Sequence, residues 1–134
     1  FDCVMLDGGG IEIGNNVLFG PRVGIYTSNH SIDAEERING GCYAKPVKIG
    51  NNVLINISSS IAHDTIVGTH TFISPCVSIA GFVDIKEQCI IGINSIIIDN
   101  ISITEGTRTG GGTVVIKNIE EKGLYVGNPA RFVK

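Results

Sequence analysis

The pair His63-Asp64 is the part of this chain best suited to acid–base chemistry. An imidazole that is neutral near pH 7 can take a proton from an attacking hydroxyl or amine, and a carboxylate on its other ring nitrogen would orient it. Gly81 follows His63 by eighteen residues. A residue without a side chain lets a ligand approach its backbone N–H, which can stabilise an oxyanion. Together the three residues are suited to a reaction in which a base removes a proton and an oxyanion forms, as in acyl transfer.

Other interpretations of the histidines remain open from the sequence alone. Neighbours on a strand point to opposite faces, so the pattern does not decide whether Asp64 reaches the ring of His63. The alternative is that His63 is a solvated corner residue and Gly81 an ordinary turn residue. His30, which precedes a charged segment, is a second candidate base or else a hydrogen-bonding residue at the foot of that segment. His70 is predicted at the surface or along a cofactor.

The elements that would position these residues follow a six-residue period. Twelve positions carry it: Ile49, Ile55, Ile61, Val67, Ile73, Ile79, Ile85, Ile91, Ile97, Ile103, Thr109 and Val115. A small or β-branched residue lies four places after each one. This period is typical of neither a helix nor an isolated strand. Units that cannot bury an apolar face alone must stack, so the pattern predicts an all-β solenoid filled by rows of aliphatic side chains.

Composition agrees with a narrow interior and disfavours several classes of function. The 134 residues are 43% hydrophobic but only 6% aromatic, and they include 18 glycines, which suit tight corners. A net charge of −3 without a basic run argues against nucleic acid or an anionic membrane as partner. Four cysteines without a CxxC pair predict reduced thiols in the cytoplasm, with Cys89 in the core. A first residue Phe1 rather than Met predicts a fragment or a processed chain.

The repeat resembles the left-handed parallel β-helix of hexapeptide-repeat acyltransferases, in which three hexads make one coil of eighteen residues. The resemblance implies a single domain over residues 1–134. Residues 11–18 recur almost unchanged at 47–54, thirty-six residues later. If eighteen of those residues make one coil, the remainder is an insertion, predicted as a loop at about residues 29–46. After Val115 the period dissolves, which predicts an extended C-terminal tail that leaves the last coil.

Two parts of the chain resemble two different groups of sugar acetyltransferases. Residues 1–56, with Asp7-Gly-Gly-Gly, Tyr26-Thr-Ser-Asn-His and Lys45-Pro-Val-Lys-Ile-Gly, are similar to maltose and galactoside O-acetyltransferases. Residues 57–134, with Ile61-Ala-His-Asp and Gly110-Gly-Gly, are similar to the sialic-acid and bacillosamine type of sugar acetyltransferase. A hybrid chain joined near Ile55 would explain the combination.

The resemblance implies roles for individual residues. From the second group, His63 is implied as general base, Asp64 as its partner and Gly81 as the amide donor to the thioester carbonyl. From the first group, a catalytic role is implied for His30, and the register predicts that both histidines face one cleft. The implied acyl donor is acetyl-CoA. Further residues implied to line this cofactor, with Lys117 or Arg131 near phosphate, are Gly111, Lys117, Gly127, Asn128, Pro129 and Arg131.

The acceptor and the assembly follow from the same resemblance. The acceptor is either a free sugar hydroxyl, as the first part implies, or an amino group of a nucleotide-linked sugar, as the second part implies. A site on one corner of a prism needs a second wall, which predicts a homotrimer. Two alternatives are a zinc protein resembling the γ-class carbonic anhydrases, although His63 and His70 do not match the spacing of that class, and an inactive or engineered hybrid scaffold.

Overall fold

Short strands separated by tight corners make up most of the computed structural model, which describes residues 1–133. In chain order the elements are β1 (Val4–Leu6), β2 (Ile11–Ile13), β3 (Leu18–Phe19), β4 (Gly24–Tyr26), β5 (Ser28–His30), α1 (Ala34–Ile38), β6 (Cys42–Ala44), β7 (Val47–Ile49), β8 (Leu54–Ile55), β9 (Ser60–Ala62), β10 (Ile66–Val67), β11 (Phe72–Ile73), β12 (Ser78–Ile79), β13 (Asp84–Ile85), β14 (Ile90–Ile91), β15 (Ile96–Ile97), β16 (Ser102–Ile103), β17 (Arg108–Thr109), β18 (Val114–Val115), β19 (Leu124–Val126) and β20 (Arg131–Phe132). One strand follows another about every six residues, as the repeat predicts.

The strands stack into three sheets that form the sides of a prism. The first sheet has the order β1-β4-β9-β12-β15-β18, the second β16-β13-β10-β7-β2, and the third β20-β19-β17-β14-β11-β8-β3. Neighbouring strands of the repeat are parallel and eighteen residues apart, as Ile79 shows by pairing with both Ile61 and Ile97. Six strands spaced by ~4.8 Å make the first sheet ~24 Å tall. The predicted left-handed parallel β-helix is confirmed.

The interior of the prism is filled by the repeat positions predicted from the sequence. Ile55, Ile61 and Ile73 are fully buried, as is Cys89. The small residues four places after the aliphatic ones also point inward. Their hydroxyls donate to backbone carbonyls of the next coil, except that of Thr107, which has no partner among the described residues. The Thr65 hydroxyl, for example, donates to the carbonyl of Ala80 at 3.1 Å. The buried core therefore consists of branched aliphatic side chains and small residues, and Phe19 and Tyr125 pack against it only partly buried.

Every corner of the prism places one residue in the left-handed region of φ. At six-residue intervals, interrupted by the insertion, non-glycine residues have φ between 55° and 60°: Asn16, Arg22, Asn52, Ser58, Asp64, His70, Cys76, Phe82, Gln88, Asn94 and Asn100. Gly106 and Gly112 continue the series. This conformation costs about 1–2 kcal/mol for a residue with a β-carbon and suits Asn or Gly best. Phe82 is therefore an unusual choice at a corner.

The insertion is a β-hairpin carrying a short helix rather than an irregular loop. Ile11 pairs directly with Val47, although they are separated by thirty-six residues and not by the usual eighteen. The additional residues, between β4 and β7, therefore project from the prism. Strands β5 and β6 are antiparallel, and α1 lies between them. The Asp33 side chain caps α1 by accepting a hydrogen bond from the Glu36 N–H at 2.9 Å. This helix has five residues, and no helix within residues 1–133 is long and apolar enough to cross a membrane.

The coil register is continuous on both sides of Ile55, where the two resemblances meet. Phe19 pairs with Ile55 across the third sheet, and Ile25 pairs with Ile61 across the first. The strands that precede Ile55 and those that follow it therefore stack as neighbouring coils of one solenoid.

The C-terminal residues differ in one respect from the prediction, because they do not leave the last coil. Strand β19 pairs in parallel with β17, and β20 folds back antiparallel onto β19. Ile119 is buried and bridges to Ile103. An unpaired sheet edge would leave backbone N–H and C=O groups without partners. Pairing with β19 gives the backbone N–H and C=O groups at the edge of β17 their hydrogen-bond partners, so the C-terminal residues cover the end of the prism.

The four cysteines are all free thiols, and they differ in exposure. Cys3, Cys42 and Cys76 are exposed, whereas Cys89 is buried. The prediction of unpaired thiols with Cys89 in the core is confirmed. Burial raises the pKa of the Cys89 thiol above its ordinary value, although hydrogen bonds from the backbone of Thr107 and Gly106 oppose the shift.

Candidate active site

Four residues of successive coils stack along the corner that follows the first sheet. Strands β9, β12, β15 and β18 are in register, so residues two places beyond their last paired isoleucine or valine occupy equivalent positions. We call this set the first corner: His63, Gly81, Asp99 and Lys117. Three coil spacings of ~4.8 Å separate its ends by ~14 Å. The structure therefore brings the predicted base, the predicted amide donor and a predicted phosphate-binding lysine onto one edge.

His63 and Asp64 form a direct pair. Nδ1 of His63 lies 3.1 Å from Oδ2 of Asp64, and His63 is only 7% exposed. The left-handed φ of 55° at Asp64 lets the carboxylate reach the ring of the preceding residue, because Asp64 is a corner residue and not part of β9. A carboxylate only accepts hydrogen bonds, so Nδ1 carries the proton. Nε2 then has a free lone pair and can act as a base.

Gly81 lies in contact with the His63 ring. A β-carbon at Gly81 would come 2.7 Å from Nε2 and 2.9 Å from Nδ1 of His63, so only glycine fits without moving the imidazole. The next residue, Phe82, donates its N–H to the His63 carbonyl at 3.1 Å. Among the described residues the N–H of Gly81 has no hydrogen-bond acceptor. That amide is available beside the candidate base.

Two aromatic rings meet the imidazole edge-on. The ring of Tyr43 from the inserted hairpin lies 5.6 Å from that of His63 at 82°, and the ring of Phe82 lies 5.3 Å away at 86°. Aromatic pairs of this kind contribute about 0.5–1.5 kcal/mol each, so together they restrict rotation of His63. Sequence analysis missed both residues. A signal for Phe82 was available, since a bulky residue stands where most corners have Asn, Ser or Gly.

The other two histidines do not contact this site. His30 is exposed and pairs with Cys42 across the hairpin. The adjacent pair, Asn29 and Tyr43, faces His63, and alternation along a strand turns the side chain of His30 to the opposite face of the hairpin.

His70 lies on a different corner from His63. That corner follows the second sheet, and the ring of His70 there lies 3.4 Å from the side-chain amide of Asn52. Within residues 1–133, no three His, Cys, Asp or Glu side chains are grouped to hold a metal ion.

A cavity near the top of the first corner contains several of the predicted cofactor residues. Its volume is about 330 Å³, and its lining is Ile116, Lys117, Asn118, Ile119, Tyr125, Pro129, Ala130 and Arg131. Lys117 and Arg131 form no ion pair with any described residue. Gly127, at φ 95°, anchors the turn before Pro129 by accepting the Val114 N–H at 3.0 Å. The cavity thus joins two cations to the edge that carries His63.

Asn128 and Gly111 lie outside that lining. Asn128 is exposed in the turn that leads to Pro129. Gly111 belongs to the corner that follows the third sheet, where a β-carbon would lie 3.1 Å from Cγ2 of Ile93. The structure therefore does not place Gly111 on the same edge as His63.

A model of a known protein family matches the part of the chain that contains this site. Residues 46–81 match the family model described as bacterial transferase hexapeptide (six repeats). This segment of the chain therefore carries a bacterial-transferase hexapeptide repeat. The matched hexapeptide segment begins where the hairpin ends and includes His63, Asp64 and Gly81.

Relatives that are named sugar acyltransferases are similar to this chain well beyond residues 46–81. The chain is 33% identical over 119 residues to a UDP-3-O-acylglucosamine N-acyltransferase of Bordetella parapertussis. That alignment covers 89% of this chain and 29% of that protein. It is 30% identical over 134 residues to galactoside O-acetyltransferase of Escherichia coli, which covers 100% of this chain and 48% of that protein. The chain thus spans about half or less of these relatives.

The same fold is present in a solved structure. GDP-perosamine N-acetyltransferase of Caulobacter crescentus, crystallised with CoA and GDP-perosamine, superimposes with a TM-score of 0.80. The alignment covers 99% of this chain and 54% of that one at 20% identity. At this identity the likeness establishes the β-helix alone.

Proposed function

We propose that this protein is an acetyltransferase that uses acetyl-CoA and acts on a sugar hydroxyl or on an amino group of a nucleotide-linked sugar. The observation that supports this proposal is the arrangement of His63, Asp64 and Gly81 on one corner, with a proton on Nδ1, a lone pair on Nε2 and a free amide alongside. Sugar O-acetyltransferases and N-acyltransferases among the relatives support the class of acceptor.

In the proposed reaction, each of these residues acts in one step of acetyl transfer. Nε2 of His63 takes the proton from the acceptor O–H or N–H as that atom attacks the thioester carbonyl carbon. The N–H of Gly81 donates to the oxyanion that forms, and Asp64 stabilises the imidazolium. When the tetrahedral intermediate collapses, the C–S bond breaks and the CoA sulfur receives the proton from His63. The acetyl group then stays on the acceptor.

The C-terminal cavity supports binding of the acyl donor along the same edge. Lys117 is the last residue of the first corner, and Arg131 lines the same cavity, so both cations can attract the phosphates of CoA. The thioester end of the donor would then point down the corner toward Gly81. We also propose a cytoplasmic location, because four free thiols fit a reducing compartment.

The outer faces of the prism support assembly into a homotrimer. Among the described strands, none of the residues in the first sheet is charged. The second sheet by contrast carries Glu12, Lys48 and Asp84. Exposed aliphatic residues such as Ile96 lie on the first sheet beside the corner that holds His63. We propose that a neighbouring copy covers this uncharged face and supplies the second wall of the site.

The function is tested by release of free CoA thiol from acetyl-CoA. The assay uses methyl β-D-galactoside and UDP-glucosamine in turn as acceptors, with mass spectrometry of the product to locate the acetyl group. Release that depends on one acceptor, together with an acetylated product, is the expected result. Absence of acceptor-dependent release with a panel of free and nucleotide-linked sugars would contradict the proposal and favour an inactive hybrid scaffold.

A further inference from the structure

The inserted hairpin carries a polar pair that faces the candidate base. Asn29 on β5 and Tyr43 on β6 are directly opposite each other, and the ring of Tyr43 packs against His63. Tyr43 is 40% exposed, so solvent or a ligand can reach it. None of the steps assigned to His63, Asp64 and Gly81 uses this pair.

Hydrogen bonds fix the orientation of both side chains. Oδ1 of Asn29 accepts the His30 backbone N–H at 2.9 Å, which leaves its amide nitrogen to donate to the Tyr43 hydroxyl, also at 2.9 Å. A tyrosine hydroxyl can donate one hydrogen bond and accept another. Its acceptor side is taken by Asn29, and its own proton has no acceptor among the described residues. The hydroxyl of Tyr43 is therefore an oriented donor on a ring that packs against the base.

We propose that Tyr43 positions the sugar acceptor by donating its phenolic proton to an oxygen of the sugar ring or of one of its hydroxyls. The inference rests on the proposed function, since the sugar would present a neighbouring hydroxyl or amine to Nε2 of His63. The bond from Asn29 polarises the phenol and makes it a better donor. The inserted hairpin is thus the part of this chain that reads the acceptor, while the coils hold the base.

Equilibrium binding of a sugar in the absence of acetyl-CoA tests this role. Methyl β-D-galactoside and UDP-glucosamine are titrated calorimetrically into the parent protein, Tyr43→Phe and the control variant Thr104→Val. Loss of one hydrogen bond in the site predicts a roughly 3- to 10-fold higher Kd for Tyr43→Phe with the sugar that the parent binds. Thr104 lies on the corner that follows the second sheet, so loss of its hydroxyl should leave the parental Kd unchanged.

The outcomes separate this inference from the proposed function, because binding is measured without chemistry. Equal Kd values for the parent and Tyr43→Phe would overturn the role of Tyr43, even if CoA release were normal. Failure of the parent to bind either sugar would overturn it as well. A protein that binds sugar through Tyr43 but releases no CoA would retain this inference and contradict the acetyltransferase proposal. Tyr43→Phe should also keep the chemical shifts of the His63 ring protons, since the aromatic contact remains.

Discussion

Gly81 forms the floor on which the imidazole of His63 rests. Three ring atoms of His63 lie where a side chain at Gly81 would begin, and Gly81 is itself buried beneath the ring. The imidazole therefore packs on the residue that has the unpaired N–H, and a side chain at Gly81 would displace the ring.

Gly81→Ala should lower acetyl transfer with little loss of fold. The added β-carbon must push the ring of His63 away, and a displacement of about 1 Å at a reacting group can reduce the rate on the order of 100-fold. The measurement is kcat for CoA release, with thermal unfolding as the control. A parental kcat would show that the ring position does not matter for the chemistry.

Replacement of each histidine distinguishes the two candidate bases. His63→Ala should lower the rate about 10²- to 10⁴-fold, because it removes the proton acceptor, while His30→Ala should change mainly the KM for the acceptor. The reason is geometric: His63 has Asp64 and Gly81 in contact, and His30 lies on the far face of the hairpin. The opposite pattern, with a silent His63→Ala, would move the chemistry to His30.

Two isoleucine substitutions test the proposed trimer. Ile96 on the first sheet is 45% exposed, and Ile66 on the second sheet is 44% exposed. Ile96→Arg should produce monomers in light scattering, since the charge would be buried against a neighbouring copy. Ile66→Arg is the matched control and should leave the assembly intact. A stable monomer in the parent protein at micromolar concentration would contradict the assembly itself.

Adjacent residues of one strand test the coil register. Ile91 is fully buried and Ile90 is 38% exposed. Ile91→Asp places an unpaired carboxylate in the apolar interior and should destabilise the fold by several kcal/mol, whereas Ile90→Asp should have a small effect. Denaturant unfolding of the two variants gives the comparison. Similar midpoints for both would be incompatible with the alternation of inward and outward residues.

The buried thiol gives a prediction for stability against pH. Burial raises the pKa of Cys89 above its ordinary value of 9.0, so at alkaline pH the unfolded chain loses this proton before the folded chain does. The contribution of Cys89 to stability is therefore fully present below the pKa of the thiol in the unfolded chain. It is lost as the pH rises through the pKa of the thiol in the folded chain. Cys89→Ala should show a smaller decline of unfolding free energy between about pH 8 and 10. An identical decline in both proteins would exclude this linkage.

The repeat and the insertion could be predicted from sequence because both depend on local regularities. A strand of two residues and a corner of four recur with fixed geometry, so the spacing of Ile61, Ile79 and Ile97 determines which residues pair. The duplicated segments at 11–18 and 47–54 fixed the register for the same reason.

The details of the site depended on features that a repeat pattern does not contain. The contact between His63 and Asp64 requires the left-handed φ of a corner, where strand alternation does not apply. The contact between Tyr43 and His63 requires a hairpin to fold back over its own corner, which depends on long-range packing. The pairing of β19 with β17 likewise follows from an open sheet edge and not from any repeat.

The stacking of equivalent corners fixes the distances between functional residues along one edge of the prism. His63 and Lys117 are separated by a whole number of coils, so the span between them changes only in steps of ~4.8 Å. Removing eighteen residues between them would shorten the span by one step and preserve every other feature of the corner. Under the proposed function, the number of coils therefore sets the distance that the acyl donor must span between the base and the cavity.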